Sequence, residues 1–210
     1  MMPNYEELNE AVIVGDRDKV AELTQKAIDE GAPPREVLDK GLVVAMDEVG
    51  RRYQTGEFYF PEMLRAARSM YSGLDLLRPM LAASKDEGRG TVVLGTVKGD
   101  LHDIGKNILG ALFEGAGYEV VDIGIDANPQ KFVDAVKEHE AKFVLMSALL
   151  TTTMEEMKKT ILALADAGVR ESVVVGIGGA PVTEQFSQEI GADFYATDAA
   201  SAVAKAREFN

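Results

Sequence analysis

Residues 91–117 read TVVLGTVKGDLHDIGKNILGALFEGAG, and the change of pattern inside this stretch decides the fold. Its first seven residues, TVVLGTV (91–97), are an almost unbroken apolar run rich in β-branched side chains, which is the pattern of a buried strand. From Asp103 onward the apolar residues fall at helical spacing up to Gly117. Between the two lies GDLHDIG (99–105), which carries His102, one of only two histidines in the chain.

The same alternation returns downstream. YEVVDIG (118–124), KFVLMSAL (142–149), SVVVGIGG (172–179) and ADFYAT (192–197) read as strands, separated by helices near 128–140, 153–167, 181–190 and 198–208. Five strands alternating with helices predict an α/β domain, a parallel sheet covered on both faces, in the flavodoxin-like (Rossmann-type) order 2-1-3-4-5. Ligands of such sheets bind beyond the carboxyl ends of the strands.

Upstream the texture differs. DRDKVAELTQKAIDEG (16–31) has Val20, Leu23, Ala27 and Ile28 at helical spacing, with Asp16 as N-cap and Gly31 as stop. PPREVLDKGLVVAMDEVGRRYQTG (33–56) reads as one further helix. A long helix is predicted from Pro61 to about Ala83, with Pro79 expected to kink it or end it early. With a short helix near 4–14 these make a four-helix bundle. SKDEGRG (84–90) reads as a linker, so the expected division is a helical domain over 1–89 and an α/β domain over 90–210.

Composition narrows the function. There is no cysteine, which excludes disulfides, thiolate catalysis and sulfur-ligated metals. Residues 1–89 hold 12 basic against 17 acidic side chains and residues 90–210 hold 10 against 18, so neither half carries a nucleic-acid footprint. No apolar run approaches the roughly 18 residues of a membrane span, and the acidic N-terminus MMPNYEELNE is no targeting peptide. A cytoplasmic protein with neither nucleic-acid nor membrane partners is expected.

Three unusual stretches fall after strands and would meet at one sheet edge: GDLHDIG after the first strand, SALLTTT (147–153) after the third and GIGGAPVT (176–183) after the fourth. Each has a plain reading. Asp100 suits a turn, His102 an exposed loop, Gly178 and Gly179 turn chemistry, and Thr151–Thr153 a helix cap. Their convergence points further. An Asp two residues from a His can orient the imidazole and fix its tautomer, as it does for metal-ligating histidines. Hydroxyls and a bare Gly-Gly backbone suit close approach of something large and polar. His139, in DAVKEHEAK, belongs on a solvated helix. One His with one Asp suits a metal that brings most of its own ligands, as a tetrapyrrole-like cofactor does.

VKGDLHDIGKNI (97–108) resembles the cobalamin-binding motif D-x-H-x-x-G of methionine synthase and of small corrinoid methyl-carrier proteins. Asp100, His102 and Gly105 match it, with Asp103 and Ile104 inside it. Ser147 and Leu149 match the family's S-x-L, with 41 residues between Gly105 and Ser147. Gly178 and Gly179 match its G-G, with 28 residues between Leu149 and Gly178. GEFYFPEMLRAARSM (56–70) is similar to the family's helical cap. The resemblance implies a corrinoid, cobalamin or another cobamide, bound base-off with His102 as the lower axial ligand of cobalt. It implies chemistry carried by His102, Asp100 and Thr153. Asp100 would accept a hydrogen bond from His102, and Thr153 would stand where methionine synthase has a serine. Ser147, Leu149, Thr151, Gly178 and Gly179 would line the channel of the displaced nucleotide tail, where a Cβ on Gly179 is expected to intrude on the tail far more than on folding. Tyr59, and less clearly Met63, would cap the methyl-bearing face, on a cap that must move aside before a partner reaches the methyl.

The function so implied is methyl transfer in one-carbon metabolism, methanogenesis or acetogenesis. The chain would receive a methyl group on cobalt from a substrate:corrinoid methyltransferase and yield it to a corrinoid:acceptor methyltransferase serving tetrahydrofolate or coenzyme M. A reductive activation protein would be a further partner. It would be a component of a methyltransferase system rather than a complete enzyme. The alternatives are the cobalamin-binding subunit of an adenosylcobalamin mutase, which does not typically carry this cap, a cobalamin-based regulator or light sensor, and a cofactor-free receiver-like domain.

Overall fold

The structure, a computed structural model, describes residues 5–83 and 89–209. The linker read at 84–90 lies outside the described residues except for its last two positions. Two compact units are present, one of Met1–Glu87 with Glu114–Gly117, the other of Gly88–Phe113 with Tyr118–Asn210.

The first unit is helical. Helix α1 (Tyr5–Val14) buries Leu8, Ala11, Val12 and Ile13. Helix α2 (Arg17–Asp29) starts where the sequence places it, because the Asp16 carboxylate accepts the Lys19 N–H at 3.0 Å and so satisfies a donor that has no intrahelical partner. The run expected as one helix over 33–56 is wound in three pieces: α3 (Pro34–Glu36), a π-helical stretch (Val37–Val43) and α4 (Val44–Gln54). The wider π winding shifts the phase of the buried face, and five of its seven residues, Val37, Leu38, Gly41, Leu42 and Val43, are buried. Helix α5 (Phe60–Ala83) corrects a second expectation, since Pro79 neither ends it nor shortens it. Proline near the C-terminus forfeits one backbone bond, that to the Asp75 carbonyl. The burial of Leu74 and Leu77 just before it outweighs that loss. Helix α1 packs against α2, α4 and α5, and α2 against α5, which completes a bundle of four helical segments.

The second unit is a five-stranded sheet, β1 (Thr91–Thr96), β2 (Glu119–Asp122), β3 (Phe143–Ser147), β4 (Val174–Gly178) and β5 (Phe194–Ala196), in the order β2-β1-β3-β4-β5. Every pairing is parallel, with Val93 beside Val121 on one side and Val144 on the other, and Val144 beside Val175. The crossover helices are α6 (Ile104–Gly115), α7 (Pro129–His139), α8 (Glu155–Asp166), α9 (Glu184–Ile190) and α10 (Ala199–Arg207). A short 3-10 turn (Arg170–Ser172), not foreseen in the sequence, follows α8.

Alternate strand residues sort between the two faces. Val93, Val144, Met146, Val175 and Ile177 join Phe132 of α7 and Met157 and Leu164 of α8 in one apolar cluster. The opposite face is left to α6 and α10, which bury Leu112 and Phe113, and Val203 and Ala206. Strand β1 has β2 on one side and β3 on the other, so the chain reverses its direction of travel between them. The loops after β1 and β3 therefore flank a topological switch point, where a crevice opens at the carboxyl end of the sheet.

Candidate cofactor site

Asp100 is the centre of the site. It is 0 % exposed, at the end of a turn closed by its own N–H to the Val97 carbonyl at 3.1 Å. A carboxylate so placed must be matched by donors, and five converge on it. Its Oδ1 accepts from His102 Nδ1 at 2.7 Å and from the His102 backbone N–H at 3.1 Å. Its Oδ2 accepts from the N–H groups of Leu149 at 2.7 Å and Leu150 at 3.2 Å, and from the Thr153 hydroxyl at 2.8 Å. Burial pushes the Asp100 carboxyl up. The Leu149 N–H, the His102 ring, the Thr153 hydroxyl and the His102 N–H together outweigh it, and the group is held well below the usual carboxylate range.

An ionised carboxylate only accepts, so His102 must carry its proton on Nδ1. Its lone pair then lies on Nε2, in a side chain that is 50 % exposed. The loop is tied from behind. The Asp126 carboxylate accepts the Gly99 N–H at 2.7 Å, and the Asp126 N–H donates to the Asp100 carbonyl at 3.0 Å. The Thr96 hydroxyl donates to the His102 carbonyl at 2.8 Å, so the Ser147 hydroxyl, 2.9 Å away, donates to Thr96.

Two cavities adjoin this loop. One of about 340 Å³ is lined by Leu101, His102, Asp103, Ile104, Gly105, Lys106, Ser147, Ala148, Leu149 and Gly179. The other, of about 180 Å³, reaches into the sheet between α6 and α10 and is lined largely by apolar groups, among them Leu109, Leu145, Ile177, Phe194, Ala199 and Ala202, with Gly178 at its edge. Gly105, Lys106, Ser147 and Gly179 line both. These four are shared by an outer space beside His102 and an inner, more apolar one.

The structure thus brings together Asp100, His102, Asp103, Ile104, Gly105, Ser147, Leu149, Thr153, Gly178 and Gly179 at one end of the sheet. Thr151 is exposed and lines neither cavity. Tyr59 and Met63 belong to the helical unit, Tyr59 70 % exposed at the start of α5 and Met63 buried. His139 is exposed in the last turn of α7. The reading of Gly179 needs correction. It has φ +128°, which favours glycine, and a Cβ there would stand 1.9 Å from the Ala148 carbonyl oxygen. The first thing that a side chain meets is the protein's own backbone, so folding, and not only ligand space, demands glycine at this position.

Four contributors escaped sequence reasoning. The Leu149 and Leu150 N–H groups leave no mark in a sequence. Thr96 sits inside a strand, where threonine is ordinary. Lys106 is one position past the motif and only its burial sets it apart.

The donor set is selective about what it can hold. Among the described residues no group of three His, Cys, Asp or Glu side chains could hold a metal ion. A single imidazole, fixed in the Nε2-donor tautomer beside two connected cavities, fits a metal that arrives with its equatorial ligands in place.

Comparison with known proteins agrees. Residues 90–204 match the B12 binding domain family, and residues 5–78 match a second family also described as a B12 binding domain. The chain is 43 % identical over 206 residues to a corrinoid protein of Desulfitobacterium hafniense (strain Y51), covering 97 % of this chain and 95 % of that protein. It is 42 % identical over 202 residues to dimethylamine corrinoid protein 3 of Methanosarcina acetivorans, covering 96 % and 94 %. Among solved structures, a methanol:cobalamin methyltransferase complex from Methanosarcina barkeri contains a chain that aligns with TM-score 0.86 and 32 % identity over 98 % of this chain and 78 % of its own. A cobalamin-binding protein of D. hafniense DCB-2 aligns with TM-score 0.79 and 33 % identity over 99 % and 98 %. With a helical unit and a five-stranded parallel sheet each matched, and relatives aligned over nearly their whole length, this chain belongs to the B12-binding family of corrinoid proteins.

Proposed function

We propose that this chain is a methyl-carrying corrinoid protein that shuttles between two methyltransferases. The relatives named for methylamines and the structural likeness to a methanol:cobalamin methyltransferase complex support methyltransferase partners. They do not favour the mutase-subunit or sensor readings. The observation that carries the proposal is the Asp100 network, five donors on one buried carboxylate whose effect is to leave His102 Nε2 as a neutral donor. When bound, the corrinoid supplies a cobalt centre able to accept a methyl group and release it.

The chain's own residues then have defined tasks. His102 Nε2 would hold the cobalt of a corrinoid bound base-off. Asp100 would keep the proton on Nδ1 and so leave the Nε2 lone pair free for the metal. Thr153 and the Leu149 and Leu150 N–H groups keep Asp100 ionised and in place. Ser147, Gly105, Gly178 and Gly179 border the proposed channel for the nucleotide tail, with Leu149, Asp103 and Ile104 at its outer rim. Thr151, Tyr59 and Met63 are retained as cofactor-facing residues on the family resemblance alone. So is a reductive activation partner, whereas the division into a cap over 1–89 and a corrinoid domain over 90–210 rests on the change of pattern along the chain, and a cytoplasmic setting on composition. For the last, the structure contributes that no helix among the described residues is long and apolar enough to cross a membrane.

The test is electron paramagnetic resonance of the Co(II) form of the reconstituted protein. One nitrogen should split the signal, and the splitting should persist when cobinamide, which has no lower base, replaces cobalamin. Splitting seen with cobalamin and absent with cobinamide would assign the nitrogen to the cofactor and refute ligation by His102.

A further inference from the structure

Asp100 and Lys106 are the two charged residues that the structure buries almost completely among the described residues. Asp100 is explained by the histidine it orients. Lys106, 3 % exposed in the first turn of α6, is used by nothing described so far. Its ammonium pairs with the Asp122 carboxylate at the end of β2 and donates to Asn107 Oδ1 at 2.8 Å. An ammonium has three donors, and these contacts engage two of them. Asp122 is itself 42 % exposed, so water can take over its hydration when the lysine is shared.

The position of Lys106 is more telling than its pairing. It is one of the four residues that line both cavities, where the outer space adjoins the inner one. The other three, Gly105, Ser147 and Gly179, carry no charge. Apart from His102 it is the one basic residue among those lining either cavity, while Asp103 lines the outer cavity and Asp198 the inner. A cobamide tail that runs from the corrin to a base seated in the inner cavity must pass these four residues with the segment linking the two. That segment carries the tail's one negative charge, a phosphodiester. Taking a phosphodiester past Asp103 and Asp198 into a largely apolar space is costly unless a cation meets it.

We infer that Lys106 is the counter-charge for the phosphodiester of the nucleotide tail, and that it selects cofactors with a complete tail over truncated ones. This rests on the reading that the tail occupies the two cavities. A hydrogen bond to a charged group contributes about 1.5–3 kcal/mol, which corresponds to roughly ten- to a hundredfold in affinity.

The experiment titrates apo-protein with cobalamin and with cobinamide, which lacks the phosphodiester, and follows binding by absorbance. Four proteins are compared: wild type, Lys106→Met, Lys106→Arg and Asp122→Asn. Wild type should bind cobalamin more tightly than cobinamide. Lys106→Met should lose at least tenfold for cobalamin and nothing for cobinamide, and Lys106→Arg should recover most of the loss. Asp122→Asn breaks the ion pair but leaves the cation, so it should bind cobalamin as well as wild type or better. If Lys106 only braced α6 against β2, Asp122→Asn would mimic Lys106→Met and both cofactors would suffer alike, which would overturn the inference. Unchanged cobalamin affinity in a folded Lys106→Met would overturn it too. Equal binding of both cofactors by wild type would instead refute the placement of the tail.

Discussion

Asp100→Asn changes one atom and should disable the histidine. The substitution conserves shape, but an amide has one accepting oxygen and one donating nitrogen where the carboxylate has two acceptors. Asp100 Oδ2 receives three donors, from Leu149, Leu150 and Thr153, whereas Oδ1 receives two, from the His102 ring and backbone. The asparagine oxygen therefore takes the Oδ2 position, and its NH2 faces His102. Two consequences follow. The His102 backbone N–H now meets a donor and goes unpaired, which costs about 1–3 kcal/mol. That is a loss of a few degrees in melting temperature for a chain of this size, at about 2–4 °C per kcal/mol. More important, Nδ1 must now accept, so the ring proton moves to Nε2 and the metal-facing lone pair is gone. Nitrogen-15 NMR of the apo-protein reads the tautomer directly, with Nδ1 protonated in wild type and Nε2 protonated in the variant. Electron paramagnetic resonance of the cobalt-loaded variant should show the nitrogen splitting lost or much weakened. A variant that keeps the wild-type tautomer and the full splitting would refute the argument that Asp100 sets the donor atom.

A Cβ added at Gly105 meets nothing within 4 Å although the residue lines both cavities, so Gly105→Leu should melt at or above the wild-type temperature yet lose at least tenfold in cobalamin affinity while keeping cobinamide, checked by calorimetry and titration. Gly179→Ala should do the reverse of a clean ligand-site mutation, because its Cβ would strike the Ala148 carbonyl; apo-protein melting should fall by several degrees, and an unchanged melting temperature would show that the turn can relax. Thr153→Val removes the hydroxyl bonded to the Asp100 carboxylate and should cost about 1.5–3 kcal/mol in denaturant unfolding, whereas Thr153→Ser should keep most of that stability. Side-chain bonds from Arg51 and Arg52 hold the Glu48 carboxyl down at about 2, so its carbon-13 titration should stay flat as pH falls from 6 to 3, whereas a midpoint near 4.5 would mean that these pairs do not form in solution.

Much of this protein is local and therefore legible in its sequence. The switch from helical to strand periodicity after Arg89, the alternation of strands and helices, and the N-cap at Asp16 all depend on neighbours within a few residues. The spacing of Asp100, His102 and Gly105, then Ser147 and Leu149, then Gly178 and Gly179, located the site, because in a parallel sheet successive strand ends must come to one edge. What sequence could not supply is whatever depends on atoms far apart in the chain. The π winding at Val37–Val43 and the continuation of α5 through Pro79 are decided by burial against other helices, which overrides local preference. The acceptor role of Asp100 toward Leu149, Leu150 and Thr153 spans about fifty residues and rests partly on backbone N–H groups, which are the same in every sequence. Gly179 looked like room for a ligand until the Ala148 carbonyl was found against it. Lys106 reads as one more helical lysine until the folded chain buries it where two cavities adjoin. Chemistry-bearing residues and their order along the chain are written in the sequence, whereas the tautomer of His102 and the burial of Lys106 arise only when the sheet closes around them.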